Sequence, residues 1–217
     1  MYVGRIVAVG RNRDGNLAAM YRVSSRSFPN RMAVVKEKSI SIVPKPGSEG
    51  DVLKNPYIAY NCLRLSGTRA VATNGSHTDP IAEKLDAGMN IRDALVTVLH
   101  AMDFEHDDFD TPRIAAVVDD AAGEAYLGIV RRDAVLVRAF DVQPGQAFYV
   151  CTYEHNVPCE DYVDPQFDVA DAAAACRYVI GGGVFGQLEK PVTAVCAVGC
   201  SGGGYDTAVY DVAPAGV

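Results

Sequence analysis

A chain of 217 residues, 49% apolar and 22% charged, has the length and composition to bury one sizeable core, which excludes a disordered or fibrous protein. Its net charge of -7 argues against general binding to nucleic acid or an anionic membrane, so a phosphate ligand would need a local cluster of arginines. No stretch approaches the roughly 18 uninterrupted apolar residues of a membrane span and no export signal is visible, so the expectation is a cytoplasmic protein with a single domain over 1–217. The cysteines Cys62, Cys151, Cys159, Cys176, Cys196 and Cys200 include no C-x-x-C pair and lie mostly in apolar runs, which favours reduced, packed thiols over metal ligands.

The first half reads as strands: Tyr2 to Val9, Leu17 to Ser24 and Ala33 to Pro44, with a tight turn at Asp14-Gly15. Ile58 to Leu65 and Arg69 to Thr73 follow, separated by Ser66-Gly67 and rich in side chains that suit a pleated sheet. A short helix is predicted from about Asp79 to Ala87, ending at Gly88. Asn90 then caps a longer one in which Ile91, Ala94, Leu95, Val98, Leu99 and Met102 recur at helical spacing. After the acidic stretch Asp103 to Asp110 come strands at Arg113 to Val118, Glu124 to Val130, Ala134 to Phe140 and Ala147 to Tyr153. Asp168 to Ile180 reads as the last helix, stopped by Gly181 to Gly183, and strands at Val192 to Val198 and Thr207 to Val212 finish the chain. Blocks of strands with helices between them indicate α+β, with antiparallel sheets, rather than alternating βαβ units.

Several segments carry candidate chemistry. Tyr21 to Arg31 places Arg22, Arg26 and Arg31 with Ser24, Ser25 and Ser27 around a strand end and loop. Guanidinium forks and short hydroxyl donors suit a phosphomonoester, although a solvated basic turn has the same composition. In Asn55-Pro56-Tyr57-Ile58-Ala59-Tyr60-Asn61, strand alternation sends Tyr57 and Asn61 to one face and Tyr60 to the other, so the two tyrosines should have separate roles. Thr73-Asn74-Gly75-Ser76-His77-Thr78-Asp79 joins a strand to a helix, a place where amides and hydroxyls meet ligands but also a plain turn with Asp79 as a cap. The acidic stretch lacks the glycine and ligand spacing of a calcium loop; a single carboxylate folded back from it, Glu105, could act as an acid or base. Gly199-Cys200-Ser201-Gly202-Gly203 matches G-x-S-x-G, yet the residues after it alternate like a strand, and all four histidines precede Ser201, so a serine triad in the usual order is excluded.

The segments Met1 to Asn12, Tyr21 to Arg31, Asn55 to Cys62, Asn74 to Asp79 and Thr111 to Ala116, in this order, resemble the archaeal-type IMP cyclohydrolases, with Cys151 to Glu154 a weaker match. The resemblance implies a four-layer αββα sandwich like that of N-terminal-nucleophile hydrolases, with two antiparallel sheets between helices. It also implies ring closure of a formamidoimidazole carboxamide ribotide to inosine monophosphate (IMP), with no metal or redox cofactor. The expected partners are the nucleotide substrate and product and further copies in a homo-oligomer, with neither nucleic acid nor membrane. Residue 2 is Tyr, which lacks the Ser, Thr or Cys nucleophile of that hydrolase chemistry. A non-catalytic nucleotide-binding module and an amide hydrolase are the competing readings.

On this reading Arg22 polarises the reacting carbonyl, and Tyr60 and Glu105 transfer protons. Arg26 and Arg31 hold the phosphate, Asn74 with Ser76 orients the ring and carboxamide, and Ser24 and Asn61 are further substrate-binding residues. His77 is a further binding residue and a reserve acid or base. Tyr60 would need a nearby arginine, and Glu105 partial burial, for their protons to be useful near neutral pH.

Overall fold

The computed structural model describes residues 1–213. Thirteen strands form two antiparallel sheets. In chain order the strands are β1 (Ile6–Arg11), β2 (Leu17–Ser24), β3 (Arg31–Val35), β4 (Ser39–Pro44), β5 (Tyr60–Ser66), β6 (Arg69–Thr73) and β7 (Arg113–Asp119). Then come β8 (Glu124–Arg131), β9 (Ala134–Ala139), β10 (Gln146–Cys151), β11 (Val163–Asp164), β12 (Pro191–Gly199) and β13 (Tyr205–Asp211). One sheet runs β11-β10-β1-β2-β12-β13 and the other β3-β4-β5-β6-β7-β8-β9. The helices are α1 (Asp51–Lys54), α2 (Thr78–Asp86), α3 (Ile91–Met102) and α4 (Ala172–Gly181).

Period-two alternation explains the layers. In β1 and β2, Val7, Val9, Leu17, Ala19, Tyr21 and Val23 enter the core between the sheets, where they meet Ile42, Tyr60, Ala72 and Ile114 of the second sheet. The intervening Ile6, Ala8, Ala18 and Met20 face outward but are covered by Ala172, Ala175, Cys176 and Val179 of α4. Both faces of these strands are therefore buried, which is why they read as near-continuous apolar runs. On the other side Ile81, Leu85, Ile91, Leu95 and Leu99 of α2 and α3 cover Val71, Ala115 and Val117. The resulting order, helix, sheet, sheet, helix, is the layering that the resemblance implied. Gly128 permits the close approach of α3, since a β-carbon there would lie 2.9 Å from Leu99 Cδ1.

The local signals account for most boundaries. Asn90 caps α3 by accepting from the Asp93 amide. The reading of Ala33 to Pro44 as one strand is corrected: Lys36-Glu37-Lys38 forms an exposed turn between β3 and β4, closed by the Lys36 amide donating to Ser39. The first strand begins at Ile6 rather than Tyr2. The last helix begins at Ala172, not Asp168, because Asp171 is the residue whose side chain accepts from the Ala174 amide. Pro56 to Ile58 forms one 3-10 turn, so β5 starts only at Tyr60. Gly199 to Gly203 closes the β12–β13 hairpin with no helix after it. All six cysteines are free thiols.

Candidate active site

At one end of the sandwich a cavity of about 290 Å³ opens between the Ser25 to Arg31 loop, the Asn55 to Ile58 turn and the Asp107 to Phe109 loop. Tyr2, Phe28, Tyr57, Phe109 and Tyr153 give it an aromatic wall, and Arg5, Arg26 and Arg31 give it positive charge. A mostly apolar concavity with a few converging polar groups is the usual form of a small-molecule site.

The arginines differ in setting. Arg26 is exposed at the mouth, with its guanidinium 4.1 Å from the Tyr2 ring and paired to Glu189 at 3.4 Å. Arg31 opens β3 and is nearly buried, its Nε donating to the Phe28 carbonyl at 3.0 Å. Arg5 precedes β1 and donates through Nη2 to Glu105 Oε2 at 3.1 Å, while its buried Nε has no partner. Burial works against the Arg5 charge, but the opposite charge of Glu105 counters it and holds the guanidinium protonated.

Tyr60 and Glu105 do not line the cavity wall; both are held beside arginines that do. The Tyr60 and Tyr21 hydroxyls share a hydrogen bond of 2.5 Å, joining the two sheets across the core. Burial raises the Tyr60 hydroxyl above its ordinary pKa, and the Arg31 and Arg5 charges only partly oppose that rise. The nearby arginines therefore do not make it a ready phenolate: at neutral pH it is a hydroxyl that can donate and accept. Glu105 has no exposed surface and lies between Arg5 and Arg113, whose Nη1 is 3.5 Å from its other oxygen. Burial lifts its carboxyl to about 7, and Arg5 and Arg113 hold it from going further. The acidic loop presents Glu105 inward because its backbone bridges to Thr111, while Asp107 accepts from the amide and hydroxyl of Thr111.

The other proposed site residues fall elsewhere. Alternation turns Arg22 away from Tyr21 and toward α4, where its guanidinium donates to Ser24 Oγ and to the carbonyls of Val179, Ile180, Phe185, Leu188 and Glu189. It is fully buried, and burial lowers its pKa to about 10. Arg22 and Ser24 thus tie the end of α4 to β2 and do not reach the cavity. Asn61 points toward α2, bonded to Asp79 and Ser41. Asp79 holds Asn61 and Arg64 rather than capping α2. Asn74 is used up by backbone, donating to Pro112 and accepting from the Ile114 amide at 2.7 Å. Ser76 is exposed and is not part of the cavity wall. His77 is buried, and its Nε2 donates to the Ile114 carbonyl at 3.0 Å. Burial, aided by Arg113, lowers its pKa to about 3, so it stays neutral and is no acid at physiological pH.

Arg5, Arg113 and Tyr21 were not singled out from the sequence. A signal existed for each: Arg5 and Arg113 are charges at the entrance of apolar strand runs, and Tyr21 lies on the inward face of β2 by simple alternation. Tyr57 and Tyr60 do occupy separate places, the first on the cavity wall and the second in the core. The strand face expected for Tyr57 and Asn61 together is corrected: β5 starts only at Tyr60, so Tyr57 lies in the 3-10 turn and shares no strand face with Asn61.

The family model described as "IMP cyclohydrolase-like protein" matches residues 2–203, so the match extends well beyond the five segments quoted above. A relative from Methanosphaera stadtmanae named IMP cyclohydrolase is 47% identical over 197 residues, covering 91% of this chain and 94% of its own. One of the same name from Halobacterium salinarum is 46% identical, covering 97% of this chain and 99% of its own. With that match spanning Arg5, Tyr21, Arg31, Tyr60 and Arg113, the chain belongs to the IMP cyclohydrolase-like family.

Proposed function

We propose that the protein closes the ring of 5-formamidoimidazole-4-carboxamide ribotide to IMP in the cavity between Arg5, Arg26 and Arg31. The observation that carries this placement is the buried Tyr21–Tyr60 hydroxyl pair beside two arginines of an aromatic-walled pocket. The aromatic wall suits a flat heterocycle, and Arg26 and Arg31 at its mouth and side suit the phosphate.

The reaction forms a bond from the carboxamide nitrogen to the formyl carbon and breaks the bond from that carbon to the formyl oxygen. The oxygen leaves as water with one proton from the carboxamide nitrogen and one from the formamido nitrogen. Nucleophile and electrophile share one molecule, so the protein must select the reactive rotamer, stabilise the oxyanion and move protons. Arg5 is the cation for the developing oxyanion. Tyr60, kept as a hydroxyl behind the cavity wall, works through a bridging water, passing a proton to the formyl oxygen and taking one from the attacking amide, with Tyr21 holding the hydroxyl in line. The same water carries the formamido proton to the departing hydroxyl. Glu105 sits behind Arg5 and orients it, so its part in the chemistry is indirect.

Purified protein given the formylated ribotide should show the ultraviolet change of ring closure; binding of IMP with no turnover would leave a nucleotide-binding module instead. Arg26→Ala and Arg31→Ala should mainly weaken IMP and substrate binding, because phosphate contacts stabilise ground and transition states alike. Wild-type IMP affinity in both would remove the phosphate assignment.

Glu105→Gln should lower turnover by about 100-fold through loss of the Arg5 alignment, with IMP affinity changed only a few-fold. The same variant has a stability signature. Because the folded carboxyl is raised from 4.5 to about 7, its contribution to stability is present at low pH and lost as pH climbs through that window. Urea midpoints of the wild type should therefore fall relative to the variant between those two pH values, and parallel curves would contradict the raised carboxyl.

A further inference from the structure

His77 is a buried titratable side chain near the site that the mechanism leaves unused. Its ring is fixed at one end, where Nε2–H donates to the Ile114 carbonyl, which leaves Nδ1 as a bare lone pair. That atom is fully buried and has no partner among the described residues. It faces Gly75. A β-carbon at Gly75 would lie 2.8 Å from Arg113 Nη1, 3.1 Å from Glu105 Oε1 and 3.2 Å from His77 Nδ1. Three polar atoms from the α2 entrance, the acidic loop and β7 thus converge on a single bare α-carbon. The backbone at Gly75 is not in the left-handed region, so what the position demands is space and not an unusual conformation.

We propose that His77 is a positioning residue for Glu105, its Nδ1 accepting, through one water, the hydrogen bond that Glu105 offers only when protonated, in a gap kept open by Gly75. A lone pair beside the carboxyl favours the form that carries a proton and disfavours the carboxylate, while the like charge of Asp107 acts in the same direction. Arg5, Arg31 and Arg113 act in the opposite direction. His77 thereby balances the arginines and keeps Glu105 able to switch charge near neutrality, and with it the strength of the hold on Arg5. An orphaned buried acceptor costs stability when left unpaired, so its retention next to an ionisable carboxyl has a physical use.

The proposal rests on the role given to Glu105, and its test separates the two. The carboxyl band of Glu105, identified as the infrared absorption missing in Glu105→Gln, is titrated in the wild type, His77→Phe and Gly75→Ala. Removing the acceptor, or wedging a methyl between it and the carboxyl, should lower the midpoint by about one unit, a tenfold weaker hold on the proton. The acid limb of the pH–rate profile should move with it, since the carboxylate is the form that aligns Arg5. Gly75→Ala keeps the imidazole and its bond to Ile114, so it remains informative if His77→Phe fails to fold. An unchanged or raised midpoint in Gly75→Ala overturns the proposal, as does a loss of melting temperature with no shift in midpoint, the result expected if His77 merely ties α2 to β7. Full turnover by Glu105→Gln would instead overturn the role of Glu105, while the midpoints would still decide whether His77 governs its proton.

Discussion

Tyr60→Phe should lower single-turnover ring closure by about 100- to 10,000-fold, the usual contribution of a positioned proton carrier, while IMP affinity stays within a few-fold of wild type. The change keeps the ring in the core beside Ile42 and Cys62 and deletes only the hydroxyl shared with Tyr21. Its cost in stability should be about 1 kcal/mol, that of one lost hydrogen bond with the Tyr21 hydroxyl left over. Tyr21→Phe makes a useful companion. It leaves the Tyr60 hydroxyl in place but unaligned, so turnover should fall by less than in Tyr60→Phe. A stability loss with unimpaired turnover in Tyr60→Phe would make the pair a core contact between the sheets and nothing more.

Arg22→Met should act on the fold instead. The guanidinium serves the carbonyls at the end of α4 and along the 3-10 turn Gly183–Gln187, together with Ser24. A methionine fills much of the space but donates nothing, so several buried carbonyls lose their partner at about 1–3 kcal/mol for each that cannot find water. A total of several kcal/mol is a large part of a typical folding free energy of about 5–15 kcal/mol. The expected result is a sharp fall in melting temperature, or insolubility, with the turnover of whatever remains folded close to wild type. Normal stability with lost turnover would restore the catalytic role that the sequence suggested for Arg22.

These contrasting fates show where a sequence informs and where it stops. The apolar run of β2 between the Asp14-Gly15 turn and the polar loop after Ser24 predicted both its ends, and strict alternation of side-chain direction already separates Tyr21 from Arg22. The composition of the Tyr21 to Arg31 segment drew Arg22 into a phosphate cluster because three arginines lie close along the chain. Proximity in sequence outweighed direction in that reading. Asn90 was legible as a cap because capping is a local event; the start of α4 was misplaced because Asp168 and Asp171 are both plausible caps and packing selects the second. The charged triplet Lys36-Glu37-Lys38 was absorbed into a strand because it contains neither Gly nor Pro, the strongest turn signals.

The same limit explains the site. Arg26, Arg31, Tyr60 and Glu105 were named from residue type, and the structure brings them to one end of the sandwich. Arg5 and Glu105, a hundred positions apart, meet because β1 and the acidic loop end at the same edge, which no local pattern records. The direction of the Tyr60 shift was equally out of reach, since it depends on how far burial exceeds the pull of two arginines.

A crystal structure with IMP bound would decide where the site lies. The phosphate should lie between Arg26 and Arg31, the base against the aromatic wall, and Arg5 within hydrogen-bonding distance of the ring. IMP seated instead in the groove beside Asn61 and Arg64, or against α4 near Arg22, would contradict this placement.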